Sequence, residues 1–142
     1  MNLTERSARQ MCVEDERAIT AVLLDYATAL DERDWNLLRS CFAIDCEAEY
    51  VGFGKWRGPA ELVEYMRGAH QSLGPTLHRI SNIKVSEQRG QVFARSYVDA
   101  LLMSAHSGGP VHRGVGWYED VIVRTAEGWK ISRRKFTPVQ ID

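Results

Sequence analysis

The stretch AITAVLLDYATALDERDW, residues 18–35, is the part of the sequence that decides the fold and the site. Its apolar residues recur at three- and four-residue spacing, which predicts a helix with one buried face formed by Ile19, Val22, Leu23, Tyr26 and Leu30. Asp31 follows in the last turn, where the helix dipole disfavours a negative charge. Asp34 is better placed to cap a short second helix. Asp31 therefore needs another partner, and we predict that this partner is His78.

Length and composition place the chain among ordinary soluble domains. Its 142 residues predict one domain, and 44% hydrophobic with 26% charged residues is typical of a globular protein. The formal net charge of −1 argues against nucleic acid as a partner, because there is no basic excess to neutralise phosphates.

The N-terminal segment, residues 1–12, is polar and mixed in charge, with no apolar core of signal-peptide length. We expect it to be a mobile arm ahead of a single domain over residues 13–142. No apolar run is long enough to span a bilayer, so no membrane partner is expected. An odd set of cysteines without a C-x-x-C pair predicts reduced thiols in a cytoplasmic protein: Cys12, Cys41 and Cys46.

The first half of the chain is predicted to hold three helices and one strand hairpin. The hairpin turns at GFGKW, residues 52–56, after a strand in which side chains alternate between two faces. Pro59 is predicted at the first position of the third helix, and Gly74-Pro75 stops it. The other bounds are Glu14 to Leu30 or Arg33 for the first helix, Trp35 to Phe42 for the second, and Asp45 to Val51 for the strand.

The second half is predicted to hold four long strands joined by turns. Short connections make consecutive strands antiparallel. The segments are Thr76 to Glu87, Gln91 to His106, Val111 to Arg124 and Trp129 to Thr137. Together with the hairpin they predict an α+β domain: a cone-shaped, curved antiparallel or mixed sheet of about six strands wrapped on three helices. The open end of such a cone is a natural pocket, and we expect an apolar hollow inside the cone.

Five segments resemble one known family. They are ALDERDW, WRGPAEL, HRISNIKV, GWYEDVIVR and EGWKISRRKF. Together they resemble the SnoaL-like branch of the nuclear transport factor 2-like superfamily, over nearly the whole chain. The resemblance implies a single SnoaL-like α+β barrel domain. It implies less about activity, because this scaffold hosts dehydratases, isomerases, polyketide cyclases, epoxide hydrolases and non-catalytic subunits.

The chemistry of the site resembles that of the scytalone dehydratase and hexachlorocyclohexane dehydrochlorinase families. Both are cofactor-independent lyases with an Asp at the end of the first helix and a His early on the strand after the third helix, and Asp31 and His78 match these places. A carboxylate bonded to one imidazole nitrogen fixes the tautomer and leaves the other nitrogen as a general base. The dehydratase has a second histidine on the next strand, whereas residues 98–102 contain none. This departure favours one-base elimination or isomerisation.

Other candidate substrate-binding residues have a structural alternative. Polar groups for a substrate are predicted from Asn82, Tyr118 and Arg134. Two-residue alternation places Asn82 on the strand face of His78 and Ile80, although it suits structural hydrogen bonding equally well. Tyr118 also suits the core, and Arg134 a solvated face or a buried acid. Aromatic walls are predicted from Trp35, Tyr50, Phe53 and Trp56, with core packing as the alternative. The four histidines lack metal-ligand spacing and no Gly-rich phosphate loop is present, so neither metal nor cofactor is expected.

These observations predict a cofactor-independent lyase or isomerase that uses an Asp-His dyad on a small apolar cyclic or aromatic substrate. Two alternatives stay open. One is a non-catalytic ligand-binding protein or an assembly subunit, resembling the small subunit of ring-hydroxylating dioxygenases; the other is a polyketide cyclase-like enzyme. The outer sheet face carries Trp117, Val121 and Val123, so we expect a homodimer or homotrimer.

Overall fold

The computed structural model describes residues 11–142, which form three helices and a six-stranded sheet in the predicted order. The helices are α1 (Val13–Glu32), α2 (Trp35–Ser40) and α3 (Pro59–His70). The strands are β1 (Phe42–Tyr50), β2 (Gly54–Arg57), β3 (Leu73–Gln88), β4 (Gln91–Ser104), β5 (His112–Thr125) and β6 (Gly128–Ile141).

The buried face of α1 is the one that the spacing predicts. Ile19, Leu23, Tyr26 and Leu30 are all at most 1% exposed. The helix ends at Arg33, which adopts the left-handed conformation with φ 58°. The chain then turns at once into α2, where the Asp34 carboxylate accepts a hydrogen bond from the Leu37 backbone N–H at 3.0 Å.

The sheet order is β2-β1-β6-β5-β4-β3. Neighbouring strands are antiparallel except β1 and β6, which are parallel, so the sheet is mixed. It curves around the helices but stays open, with β2 and β3 at its two edges, and is therefore not a closed barrel.

Several predicted boundaries are wrong by a few residues, and two of them concern the junctions between helix and strand. Phe42 begins β1 instead of ending α2, because the short helix stops at Ser40. Gly74-Pro75 lies within β3 and not in a loop. Proline is compatible with β3 because this is an edge strand, where a missing N–H leaves no ladder bond unmade.

The N-terminal arm expected over residues 1–12 lies mostly outside the described residues. Of its last two residues, Met11 is buried at 8% exposure, and the exposed Cys12 directly precedes α1. Cys41 and Cys46 are buried free thiols, and burial raises their pKa values to about 12 and about 11.

The centre of the cone holds a buried ion pair. The Arg134 guanidinium donates two hydrogen bonds of 2.8 Å to the Asp120 carboxylate, and both residues are at most 3% exposed. The guanidinium lies 3.8 Å from the Tyr118 ring centroid and 4.2 Å from that of Tyr26. Arg134 thus balances a buried acid, and the solvated face considered for it from the sequence is wrong.

We expect Asp120→Asn to lower the free energy of unfolding by about 3 kcal/mol, because it leaves the Arg134 guanidinium buried without a counter-charge. Urea unfolding at neutral pH measures the change. Asp99→Asn is the matched control, since Asp99 pairs with Arg113 on the exposed face, and it should cost far less. Equal losses in the two variants would contradict a buried pair at the centre of the cone.

Candidate active site

Asp31 at the end of α1 meets His78 near the start of β3. The His78 ring nitrogen Nδ1 lies 2.7 Å from Asp31 Oδ1, and the His78 backbone N–H donates to Oδ2 at 2.8 Å. The Thr76 hydroxyl also donates to Oδ1, at 2.9 Å. The structure therefore brings the two sequence-predicted residues together, through the backbone as well as the ring.

The surroundings of Asp31 favour its charged form. Burial alone would raise the pKa of Asp31, but hydrogen bonds from the His78 ring, the His78 backbone and Thr76 outweigh burial and lower it. An ionised carboxylate only accepts hydrogen bonds, so Nδ1 of His78 carries a proton, and in the neutral ring Nε2 holds the lone pair. Among residues 11–142, Nε2 makes no hydrogen bond, which leaves it free to accept a proton.

Arg33 stabilises the dyad through hydrogen bonds to the end of α1 and the start of β3. Its Nη1 donates to the Leu30 carbonyl at 2.6 Å and to the Thr76 hydroxyl oxygen at 2.8 Å, and its Nη2 donates to the Gly74 carbonyl at 2.8 Å. Because the Thr76 oxygen accepts from Arg33, its own hydrogen is directed to Asp31.

Sequence reasoning missed both Arg33 and Thr76. The available signal for Thr76 was its position two residues before His78, on the same strand face. For Arg33 the signal was its place directly after the last turn of α1, where the chain must leave the helix.

A second histidine comes from α3. His70 is 7% exposed, and its ring centroid lies 5.8 Å from that of His78. Nδ1 of His70 bonds the Met66 carbonyl at 2.7 Å, so Nδ1 carries the proton and Nε2 is an acceptor. Burial lowers the pKa of His70 and favours this neutral form. A usable signal for His70 was its spacing, because it continues the buried stripe of Leu62 and Met66 at intervals of four residues.

The other candidates separate into three groups. Trp35 stands beside the dyad, with its ring edge against His70 at 6.3 Å between centroids. Four candidates are packed in the core or against it: Tyr50, Trp56, Tyr118 and Arg134. Phe53 is 49% exposed at the hairpin.

Asn82 is exposed and does not share the inward face of His78 and Ile80, so that prediction is wrong. The pairing of β3 with β4 shifts between Ser81 and Lys84, and Asn82 takes the left-handed conformation with φ 52°. A β-bulge breaks the two-residue alternation on which the prediction depended.

The cone interior is not the apolar hollow expected from the sequence. Instead it is filled by buried side chains, chiefly Tyr26, Tyr50, Tyr118 and Phe136. One hollow of about 270 Å³ is lined by Arg33, Trp35, Arg67, His70, Gln71 and Leu73. The dyad does not line it but adjoins it through His70, whose ring centroid lies 5.8 Å from that of His78. A larger one of about 840 Å³ crosses the outer face of the sheet, where Glu47, Lys84, Arg95, Glu119, Val121 and Lys135 contribute to its lining.

Within residues 11–142, none of the helices combines the length and apolar character needed to cross a membrane. In the same range, no three His, Cys, Asp or Glu side chains are grouped to hold a metal ion.

The arrangement of the elements defines the class of fold. A mixed sheet curved around three helices is the nuclear transport factor 2-like fold. The SnoaL-like domain model matches residues 12–135, and the chain belongs to this family.

Relatives and solved structures agree with this assignment. An uncharacterised protein of Mycobacterium tuberculosis is 25% identical over 123 residues, covering 86% of this chain and 84% of the relative. A proposed scytalone dehydratase from Novosphingobium aromaticivorans is similar with a TM-score of 0.83 and 25% identity, covering 92% and 87% of the two chains. The type 3 hexachlorocyclohexane dehydrochlorinase from Novosphingobium barchaimii is similar in fold, with a TM-score of 0.82, 18% identity and coverage of 92% and 90%.

We expect the stability conferred by Asp31 to disappear in acid. Its pKa is lowered in the folded state, so its contribution is complete above the unfolded value of about 3.9 and is lost as the pH falls through the lower folded value. Asp31→Asn should therefore be less stable than wild type at pH 7, with a difference that narrows below about pH 4. Urea unfolding across this pH range measures the difference.

Asp25→Asn is the control, because Asp25 is an exposed aspartate on the same helix. It should stay close to wild type throughout. A deficit of Asp31→Asn that did not change with pH would contradict the role of the hydrogen-bonded carboxylate.

Proposed function

We propose that this protein is a cofactor-independent lyase or isomerase. In this proposal His78 removes a proton from a substrate carbon, and Asp31 orients the imidazole ring and stabilises the imidazolium that forms. The observation that carries the proposal is the pair of hydrogen bonds that His78 donates to the Asp31 carboxylate, from Nδ1 at 2.7 Å and from the backbone N–H at 2.8 Å. This arrangement fixes the ring in the tautomer whose Nε2 accepts a proton.

The reaction follows from the protonation states. Nε2 of His78 takes a proton from a C–H bond, and the electron pair of that bond forms a double bond to the neighbouring carbon. In an elimination, the pair expels halide or a hydroxyl group from that carbon, and a leaving hydroxyl takes the proton from the imidazolium. In an isomerisation, the neighbouring carbon already carries a double bond, which breaks and moves its electron pair to the next carbon, and the imidazolium returns its proton to that carbon. Asp31 stabilises the imidazolium in both cases, and a positioned base contributes about 100- to 10,000-fold in rate.

The similar structures support elimination as the first reaction to test. The names of two of them, a proposed scytalone dehydratase and a dehydrochlorinase, describe losses of water and of hydrogen chloride. A small cyclic or aromatic substrate is proposed, and a cyclase of polyketide type would use the same base. The reduced thiols Cys41 and Cys46 suit a cytoplasmic setting.

The test is proton exchange and turnover on a panel of small cyclic compounds that carry an acidic C–H beside a carbonyl or a leaving group. In D2O, nuclear magnetic resonance detects either exchange of that hydrogen or formation of product. We expect His78→Ala and Asp31→Asn to lose about 100- to 10,000-fold in rate.

Matched controls are His112→Ala and Asp99→Asn, because both positions lie outside the site and are exposed or partly exposed. They should retain wild-type rates. Unchanged turnover in His78→Ala and Asp31→Asn would remove the catalytic proposal.

The larger hollow supports the expected association of copies of this chain. It lies on the face of the sheet opposite the dyad and has Phe93 and Val121 among its lining residues, together with side chains of both charges. A surface with positive and negative side chains around a central apolar area can pair with the same surface of a second copy. We propose that this face joins copies of this chain into a homodimer or homotrimer.

Light scattering after gel filtration measures the assembly. We expect two or three times the 16.1 kDa of one chain, and a shift toward one chain in Val121→Glu, which buries a charge in the contact. Leu24→Glu, at an exposed position of α1, should leave the mass unchanged. A monomeric wild-type protein would contradict the assembly.

A further inference from the structure

We infer that the hollow of about 270 Å³ beside the dyad binds an anionic group of the substrate, a carboxylate, and that the substrate is therefore a small cyclic or aromatic acid. We call this hollow the arginine hollow; its lining is Arg33, Trp35, Arg67, His70, Gln71 and Leu73. The inference rests on the proposed function and refines the apolar substrate expected from the sequence.

Arg33 has donors to offer to a ligand. A guanidinium carries five N–H groups, and three of those of Arg33 are used by the Leu30 carbonyl, the Thr76 hydroxyl and the Gly74 carbonyl. Nε–H and one N–H of Nη2 have no partner among the described residues. Its three partners are all neutral, so the positive charge of Arg33 has no carboxylate bonded to it.

Arg67 adds a second positive charge to the same hollow. Its guanidinium lies over the Trp35 ring, 5.5 Å from the centroid. Its nearest acid is Glu64, whose carboxylate is 3.7 Å from Nε, too long for a hydrogen bond, and 78% exposed. Solvent screens such a pair strongly. The lining itself contains two arginines and no carboxylate.

The arginine hollow is next to the base. His70 belongs to its lining, and the His70 ring centroid is 5.8 Å from that of His78. A substrate with its reacting C–H at His78 would reach past His70 to the arginines, with Trp35 as a flat wall for a ring. Arginine binds carboxylates through paired hydrogen bonds.

The chemistry gives the anionic group a role beyond binding. Removal of a proton from a carbon near a carboxylate or carbonyl places negative charge on its oxygens. Fixed guanidinium groups stabilise that charge as it develops. The volume, slightly below the roughly 300–1,000 Å³ of pockets for drug-sized ligands, suits a small acid.

Benzoate is the probe, with benzamide as its neutral analogue. Nuclear magnetic resonance spectra of the full chain follow the Trp35 indole N–H and the His70 and His78 ring signals during titration. We expect saturable shifts with benzoate, weakened by added salt, and none with benzamide.

Arg67→Gln should weaken benzoate at least about tenfold, the effect of losing a hydrogen bond between charged groups. Arg67 is half-exposed, so this variant keeps the fold. Arg57→Gln is the matched control, because Arg57 is an exposed arginine on β2 that pairs with a glutamate, and it should bind as wild type does. Equal shifts with benzamide, no saturable shift, or wild-type binding by Arg67→Gln would overturn the inference.

The outcome is separable from that of the proposed function. If benzoate binds in the arginine hollow while His78→Ala keeps full turnover, the anion site stands and the catalytic role of His78 fails. If His78→Ala abolishes turnover while benzoate does not bind there, the catalytic role stands and the anion site fails.

Discussion

The carboxylate of Asp31 accepts three hydrogen bonds from β3, and these bonds fix the end of α1 on an edge strand of the sheet. Helix and strand are separated by more than forty residues of sequence, so this contact sets where α1 crosses the inner face. Arg33 ends the helix in a left-handed conformation and bonds the same strand. The groups that anchor the helix are thus the same groups that prepare the base.

The buried Asp120-Arg134 pair explains why the site lies at the rim of the cone. A guanidinium in the interior needs its carboxylate, and it lies between the Tyr26 and Tyr118 rings. These groups fill the centre, where the sequence had indicated an apolar cavity. The space for a ligand is displaced to the junction of α1, α2, α3 and β3, which is more polar.

What local periodicity determines could be predicted from the sequence. The buried face of α1, the cap at Asp34, the order of the elements and the pairing of Asp31 with His78 all follow from spacing together with the family resemblance. Arg134 was harder, because its alternation with Phe136 places it inside whereas its charge argues for solvent. Its partner Asp120 lies on a different strand and only tertiary structure identifies the pair.

Features that depend on register or on distant contacts could not be predicted. A single β-bulge near Asn82 turns that side chain from the inner face of the sheet to solvent. The residue types around it do not predict where such a bulge occurs. The buried stripe of α3 includes His70, but the contact of His70 with His78 depends on where α3 packs against β3, and no local pattern gives that. The parallel pairing of β1 with β6 joins a strand from the first half of the chain, Phe42–Tyr50, to the last strand, and no local pattern reaches that far.

That last pairing has a consequence for synthesis. β6 is made last but lies in the middle of the sheet, between β1 and β5. Until residues 128–141 leave the ribosome, the sheet can form only as two separate pieces, β2-β1 and β5-β4-β3. The edges of β1 and β5 that β6 will pair with then carry unpaired backbone N–H and C=O groups. Glu47 on β1 and Glu119 on β5 are exposed charged residues on these two strands. A charged side chain on an open strand disfavours pairing with the strand of a neighbouring nascent chain.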